Sequence, residues 1–445
     1  QALKLDFMEV KQLISCEIMK KLFMATLAML FLLSCGGDKK DSLGDKQELK
    51  FRITWAADSG RGKAISKIVE EFNKENPNIH VTLVGGSEDI QELTTMFTSQ
   101  DVPDVVQLPY RYTQKFGSEG LLLELNDELK KETSNFYDSI IKLGQVNEKT
   151  YGVPWIGHAI GLVYNKDLFA KAGLDPEKAP ATWDELLSYS KIIEEKTGVK
   201  GLALVSKEGG DLNWLFAQFI YQNGGKIVNE DGTIALNSPE AIEAINFYKE
   251  LLKYSAGTVG ETDGKGVMQL FKEGKAAMEI QGPWGVTDVW KAGNPFKVGT
   301  AKLPKGKVGA FAEVGPHMLT IPATVDVKKT DAINKFIQFM VSKKGSEMIM
   351  LGEYDEATKA SYPFRVPIRK DMADVEYFKQ HPEFLPFIEG LNEPSIEVPT
   401  PAYAQVREEI AIPAFAKILQ GKMTTEAAVK EIQEKGNAKI KEFGK

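Results

Sequence analysis

Three observations predict an α/β protein folded as two or more globular units. Between Leu49 and Leu108 the chain alternates strand-helix-strand-helix-strand, the order that gives a parallel sheet covered by helices. At 445 residues it is long for a single core. The stretch Tyr151–Lys171, YGVPWIGHAIGLVYNKDLFAK, reads as a crossing from one unit into another. Pro154 cannot donate to a sheet ladder, and Gly152 and Gly157 permit unusual backbone angles, so it is not a plain central strand.

Composition narrows the function. A 43% hydrophobic and 26% charged chain is neither disordered nor membrane-embedded as a whole. With net charge −7 and no basic stripe, nucleic acid is not an expected partner. Two cysteines, Cys16 and Cys35, cannot build a disulfide framework or a metal site. His80, His158, His317 and His381 show none of the pair spacings of helical metal sites, so neither metal nor cofactor is expected.

The elements follow in order. Residues 1–18 have no clear pattern, whereas Met19-Lys20-Lys21 opens a charged region followed by an apolar run, Leu22 to Leu33. Twelve apolar residues are too few to span a bilayer and suit a signal-peptide core. Leu32-Leu33-Ser34-Cys35 resembles a bacterial lipobox, which implies a leader over 19–34, lipidation of Cys35 and a polar tether over 35–47. Leu49 to Trp55 alternates as a strand, and Ala64, Ile65, Ile68, Val69 and Phe72 fall on one face of the next helix. Ile79, Val81 and Leu83 mark a second strand, Glu88 to Ser99 a helix and Pro103 to Leu108 a third strand. Ligands of such sheets sit beyond the carboxyl ends of the strands, which selects the loops 56–62 and 109–113. Asp58 and Ser59 in the first loop, and Tyr110, Arg111 and Tyr112 in the second, become candidate contacts. Arg111 stands out because a guanidinium offers paired donors to hydroxyls or a carboxylate.

Beyond the crossing, Thr182 reads as the N-cap of a helix, followed by helices over Trp214–Tyr221 and Pro239–Leu252. Ala276 to Ile280 prepares Gln281-Gly282-Pro283-Trp284, and Val298 to Leu303 is a second candidate crossing strand. Met318 to Ile321 and the helix Ala332–Val341 look like a return to the first unit. From Gly345 the chain is expected to be helical, broken by the proline-rich loop 393–401.

Several of these stretches resemble one family. Gly161, Leu162-Val163, Tyr164-Asn165, Phe169 and Lys171 resemble the signature of the family 1 extracellular solute-binding proteins, the maltose-binding type. Pro103-Asp104-Val105-Val106 with Gly120-Leu121-Leu122, and Phe271 to Met278 with Gly282-Pro283-Trp284, are similar to two further motifs in the same order. The resemblance implies a two-lobed periplasmic-binding-protein fold (type II), each lobe a mixed sheet flanked by helices, with the ligand in the cleft. The first lobe would hold 48–155 and 302–341 and the second 156–301 and 342–445, with bending near Pro154–Ile156, Thr300–Lys302 and Val341–Gly345. It also implies a monomeric, extracytoplasmic, lipid-anchored receptor that binds a carbohydrate and serves an ATP-binding-cassette importer.

Carried over by position, Trp284 is expected to stack on a sugar ring, Trp214 to offer another stacking face, and Tyr403 to line the cleft, four residues before Arg407. His158 takes a polar position, and Leu108 stands where an aromatic would. A sugar has an apolar ring face and a polar edge, so aromatic faces with convergent hydrogen-bond partners suit it. An enzyme is not expected: no Gly-x-Ser-x-Gly elbow occurs, and no motif pairs two carboxylates across a site. A surface glycosidase, an adhesive lipoprotein, or a binder of a polyol, sugar phosphate or sugar acid remain the alternatives.

Overall fold

The computed structural model describes residues 46–363, 365–372, 374–392 and 403–443. The leader, Cys35 and the 393–401 loop lie outside the described residues.

The first lobe begins with β1 (Gln47–Arg52), α1 (Gly60–Glu75), β2 (Ile79–Val84), α2 (Ile90–Phe97) and β3 (Val105–Pro109), in the order the pattern predicts. β1 runs parallel to both β2 and β3. The apolar face of α1 is the expected one, with Ala64, Ile65, Ile68, Val69 and Phe72 buried. After β3 the chain turns directly into α3 (Tyr110–Ser118) and later reaches β4 (Gly152–Ile156).

The second lobe is built from β5 (Gly161–Asn165), α4 (Trp183–Thr197), β6 (Leu202–Ala203), α5 (Gly210–Gln222), α6 (Pro239–Leu251), β7 (Ser255–Ala256), α7 (Gly264–Lys272), β8 (Met278–Gln281), α8 (Trp284–Lys291) and β9 (Val298–Lys302). Thr182 caps α4 as expected, its hydroxyl accepting from Glu185 N. β10 (His317–Thr320) then returns to the first sheet, giving the orders β2-β1-β3-β10-β4 and β9-β5-β8-β6-β7. Both sheets are mixed, because β10 opposes β3 and β4 while β5 opposes β8 and β9. The two-lobed α/β arrangement implied by the sequence is the one observed.

Pro154 does lie in a strand, but in β4 at the edge of the sheet, where proline is tolerated, and next to a register shift in its pairing with β10. The crossings at 157–160 and 303–316 run side by side, joined by Ala159 to Val314 bridging. The bending points expected at Pro154–Ile156 and Thr300–Lys302 therefore fall inside β4 and β9, and the connections start just beyond them.

The C-terminal third departs from expectation. α9 (Thr330–Val341) is followed at once by α10 (Lys343–Met350), which Ser342 caps and which packs on α1 of the first lobe. The chain does not change lobes at Val341–Gly345. Nor is it simply helical afterwards, since β11 (Glu353–Asp355) and β12 (Ala360–Tyr362) form a ribbon against α1. The change comes later: Thr300 Oγ1 donates to Glu383 O at 2.8 Å, where the 382–389 segment lies on β9. α11 (Tyr403–Val406), α12 (Ile412–Leu419) and α13 (Thr425–Phe443) then pack on the second lobe.

Each lobe has an aromatic core. Phe51 meets Trp155 and Phe336 at ring distances of 5.7 and 5.2 Å, and Phe216 meets Tyr248 and Phe415 at 4.9 and 4.8 Å. Such pairs contribute about 0.5–1.5 kcal/mol beyond area burial.

Candidate binding cleft

Between the lobes lies a cavity of about 410 Å³, within the size range of small-molecule sites. A narrower extension of about 60 Å³ shares Arg111, Trp214, Glu313 and Arg407 with it and reaches Tyr110 and Tyr403.

The first-lobe wall is a chain of charged and polar groups. Arg111, on the first turn of α3, donates from Nη2 to Glu88 Oε2 at 3.0 Å. Glu88 Oε1 lies 3.6 Å from His317 Nε2. Behind them, Gln107 Nε2 approaches His317 Nδ1 at 2.8 Å, while Thr54 N donates to Gln107 Oε1 at 3.2 Å. Because the Thr54 amide fixes the Gln107 oxygen, Gln107 offers its N–H to Nδ1, and the histidine proton sits on Nε2 facing Glu88. Burial pulls the His317 pKa down to about 4, so the ring is neutral at physiological pH. Trp55, just after β1, stacks on His317 at 5.5 Å.

The second-lobe wall is aromatic. Trp284 is the first residue of α8, half-buried, with Nε1 donating to Gln281 Oε1 at 2.8 Å. A Cβ at Gly282 would meet the Trp284 ring at 2.1 Å, so only glycine lets the indole fold back over the end of β8. His158, buried in the first crossing, meets Trp284 edge-on at 4.7 Å, and burial holds its pKa well below the usual histidine value. A Cβ at Gly315 would meet that imidazole at 2.7 Å, so the two crossings close around it. Trp214, on α5, is half-buried at the cavity. Tyr403 donates from its hydroxyl to Asn213 Oδ1 at 3.1 Å.

Two groups come from the connections. Glu313, in the second crossing, accepts from Tyr110 OH at 3.2 Å, and its own N–H donates to Gln218 Oε1 at 2.8 Å, which ties the crossing to both lobes. Burial pushes its carboxyl pKa up to about 7, with Arg111 and Arg407 opposing. Arg365 is 6% exposed, and its guanidinium carbon lies 4.6 Å from the Trp284 ring and 5.7 Å from the Trp55 ring. Arg407 donates to Gly210 O at 3.2 Å. It begins a π-helical turn, Arg407–Ala411, explained by Pro413, which cannot donate back along the helix.

The structure thus brings Trp284, Tyr403, Trp214, His158, Arg111 and Tyr110 to one cleft. Tyr112 points the other way, 3% exposed, in a cluster with Leu93, Phe97 and Phe116. Ser59 caps α1 and Asp58 is exposed; neither lines the cavity. Glu88, Asp211, Glu313, His317 and Arg365 were not singled out by the sequence. Gly315-Pro316 before His317 repeats the Gly282-Pro283 punctuation before Trp284, a signal that could have selected His317. Arg365 had none. Among the described residues, no group of His, Cys, Asp or Glu is placed to hold a metal ion, and no helix is long and apolar enough to cross a membrane.

Residues 56–347 match the family model described as bacterial extracellular solute-binding protein. The chain belongs to this family. It is 31% identical over 318 residues to the ABC transporter periplasmic-binding protein YcjN of Escherichia coli, covering 67% of this chain and 70% of that one. It is 28% identical over 340 residues to the maltooligosaccharide ABC transporter solute-binding lipoprotein of Streptococcus pneumoniae, covering 73% and 76%. Among solved structures, the Thermotoga lettingae solute-binding protein bound with α-D-tagatose superposes with a TM-score of 0.76 at 22% identity, over 88% of this chain and all of that one. Membership of this family makes the protein an extracytoplasmic solute-binding protein.

Proposed function

We propose that the protein captures a carbohydrate, an oligosaccharide by size and aromatic lining, closes its lobes on it and hands it to the permease of an ATP-binding-cassette importer. The observation that carries this is the convergence of the Trp214 and Trp284 side chains with the Arg111 guanidinium on one interlobe cavity. Aromatic faces serve the ring, and the guanidinium and amides serve its hydroxyls. The protein works as a monomer held at the membrane by lipid on Cys35. Lipid chains contribute about 0.8 kcal/mol per buried methylene, so two or more anchor it stably.

A melting screen against sugars tests the reading, because a ligand of the native state raises stability by mass action. A carbohydrate should raise the melting temperature, and X-ray scattering at saturation should show a smaller radius of gyration. An unchanged profile with proven binding would reject closure while leaving capture intact.

A further inference from the structure

We infer that the solute is an anionic carbohydrate, whose carboxylate or phosphate is received in the cleft by Arg365 and Arg111. This rests on the carbohydrate reading above and narrows it. The protein as a whole carries −7, yet the interlobe cavity gathers three guanidinium groups. Arg111, Arg365 and Arg407 all line the cavity, and Lys265 stands at it as well. A site whose sign opposes that of the surrounding chain focuses ligands of the opposite charge.

Three carboxylates, Glu88, Asp211 and Glu313, face the cavity against these four cationic side chains, and Arg407 is also paired with Glu408 outside it. Glu88 is already held by Arg111 at 3.0 Å. Glu313 accepts from Tyr110 OH at 3.2 Å, and its pKa, raised to about 7, leaves it only partly ionised at neutral pH. Asp211 accepts from Gly264 N at 3.1 Å on the second lobe.

The two arginines are also presented in a way that a neutral sugar would use poorly. Arg111 is oriented by Glu88 through Nη2, while its Nε is buried with no hydrogen-bond partner. Arg365 is buried at the cavity with its guanidinium carbon 4.6 Å from the Trp284 ring and 5.7 Å from the Trp55 ring, which fixes its position beside the solute. Planar, pre-oriented guanidiniums match the two oxygens of a carboxylate or phosphate, and charge-assisted hydrogen bonds are the stronger kind. Arg365 also occupies a face of Trp284, so the stacking there is shared between a guanidinium and the solute rather than left to a sugar ring alone.

The test is a calorimetric titration of the full chain with matched ligands. Digalacturonate and trigalacturonate are compared with their methyl esters, and glucose 6-phosphate with glucose, alongside a neutral maltooligosaccharide series. The expected result is binding of an acidic member at least 100-fold tighter than its neutral counterpart, weakening as salt rises. Preference for the uronates assigns a carboxylate, and preference for glucose 6-phosphate assigns a phosphate. Arg365→Ala should remove most of that ratio, and Arg365→Lys, which keeps charge but not the fork, should restore part of it. Melting of each variant without ligand shows that it is folded. Tighter binding of the neutral members, or an acid preference untouched in folded Arg365→Ala, would overturn the inference and leave the carbohydrate reading standing. Binding by none of the sets would overturn both.

Discussion

The two walls of the cleft are made differently. On the first lobe, Arg111, Glu88, His317, Gln107 and the Thr54 amide form an unbroken chain of polar contacts, each group fixed by the next. On the second, Trp214 and Trp284 are half-buried at the cavity, Tyr403 is buried beside its extension, and Trp284 and Tyr403 have their polar edges bonded within their own lobe. The difference follows from physics. A charge taken out of water is costly unless its partners are in place, so the charged wall must be prebuilt. An aromatic face needs only to stay uncovered on one side. The first wall should therefore tolerate substitution less well than the second.

Breaking the charged wall should have the largest effect. Arg111→Ala removes a guanidinium that faces the cavity and should weaken binding of an anionic solute by about 2–5 kcal/mol, the range for truncating one partner of a hydrogen-bonded charge pair closed into an interface. Stability should fall by less, because Arg111 and its partner Glu88 are both partly exposed to solvent that screens them. Titration calorimetry beside a melting curve checks this. Affinity reduced less than tenfold would show that the wall is structural only.

Trp284→Ala comes next, with an expected affinity loss on the order of 2–4 kcal/mol, typical of an aromatic hot spot. The melting temperature should also fall modestly, since the indole supports both Arg365 and the edge of His158. Near-normal affinity with a collapsed melting temperature would assign Trp284 to packing, and the second wall would then depend on Trp214.

These two residues show how far a sequence can be read. Arg111 and Trp284 were legible because each follows a strand end marked by Pro109 or Gly282-Pro283, and strand ends face the cleft in such sheets. The first lobe was legible through β3 for a similar reason: period-2 and period-3.6 patterns alternate there without interruption. Arg365 and Glu313 were not legible. They sit on connections with no periodicity, and their places are set by distant neighbours, Trp284 for one and Tyr110 and Gln218 for the other. The same cause underlies the late change of lobe: the position of α10 depends on packing against α1, some 270 residues earlier, as the ion pairs of Lys344 with Glu71 and Glu75 show.

A third prediction separates the wall from the crossing. Glu313 is raised from the ordinary 4.5 to about 7, so the folded state holds its proton where the unfolded state has lost it. Its contribution is present below pH 4.5 and is lost as pH rises towards 7. His317 is lowered from 6.5 to about 4, so its contribution is present above pH 6.5 and is lost as pH falls through 4. The two oppose one another between pH 4.5 and 6.5. Glu313→Gln should expose the histidine, giving a stability that climbs, relative to the parent, by on the order of 1–3 kcal/mol from pH 4.5 to 7. His317→Gln should do the reverse between pH 4 and 6.5. Denaturant titrations at each pH, taken as differences from the parent, isolate the two groups. Parallel pH profiles for parent and variants would show that neither group's titration differs between folded and unfolded chains.

The smallest effect concerns a residue that the strand-end rule selected and the structure places elsewhere. Ser59 lies in the first loop beyond β1, yet its hydroxyl accepts from Gly62 N at 3.1 Å and donates to Ala56 O at 2.6 Å. It is the N-cap of α1, and that role satisfies one amide left open at the start of the helix. A Cβ on Gly62 would meet Ala56 O at 2.3 Å, so the turn that the cap closes is too tight for any other residue at that point. Ser59→Ala should therefore lower unfolding stability by about 1 kcal/mol, within the range of lost caps, and leave solute affinity within twofold. Denaturant unfolding and calorimetric titration of the same preparation give both numbers. A tenfold loss of affinity with unchanged stability would move this loop into the first-lobe wall, which would then extend from Arg111 across the mouth of the cleft to the start of α1.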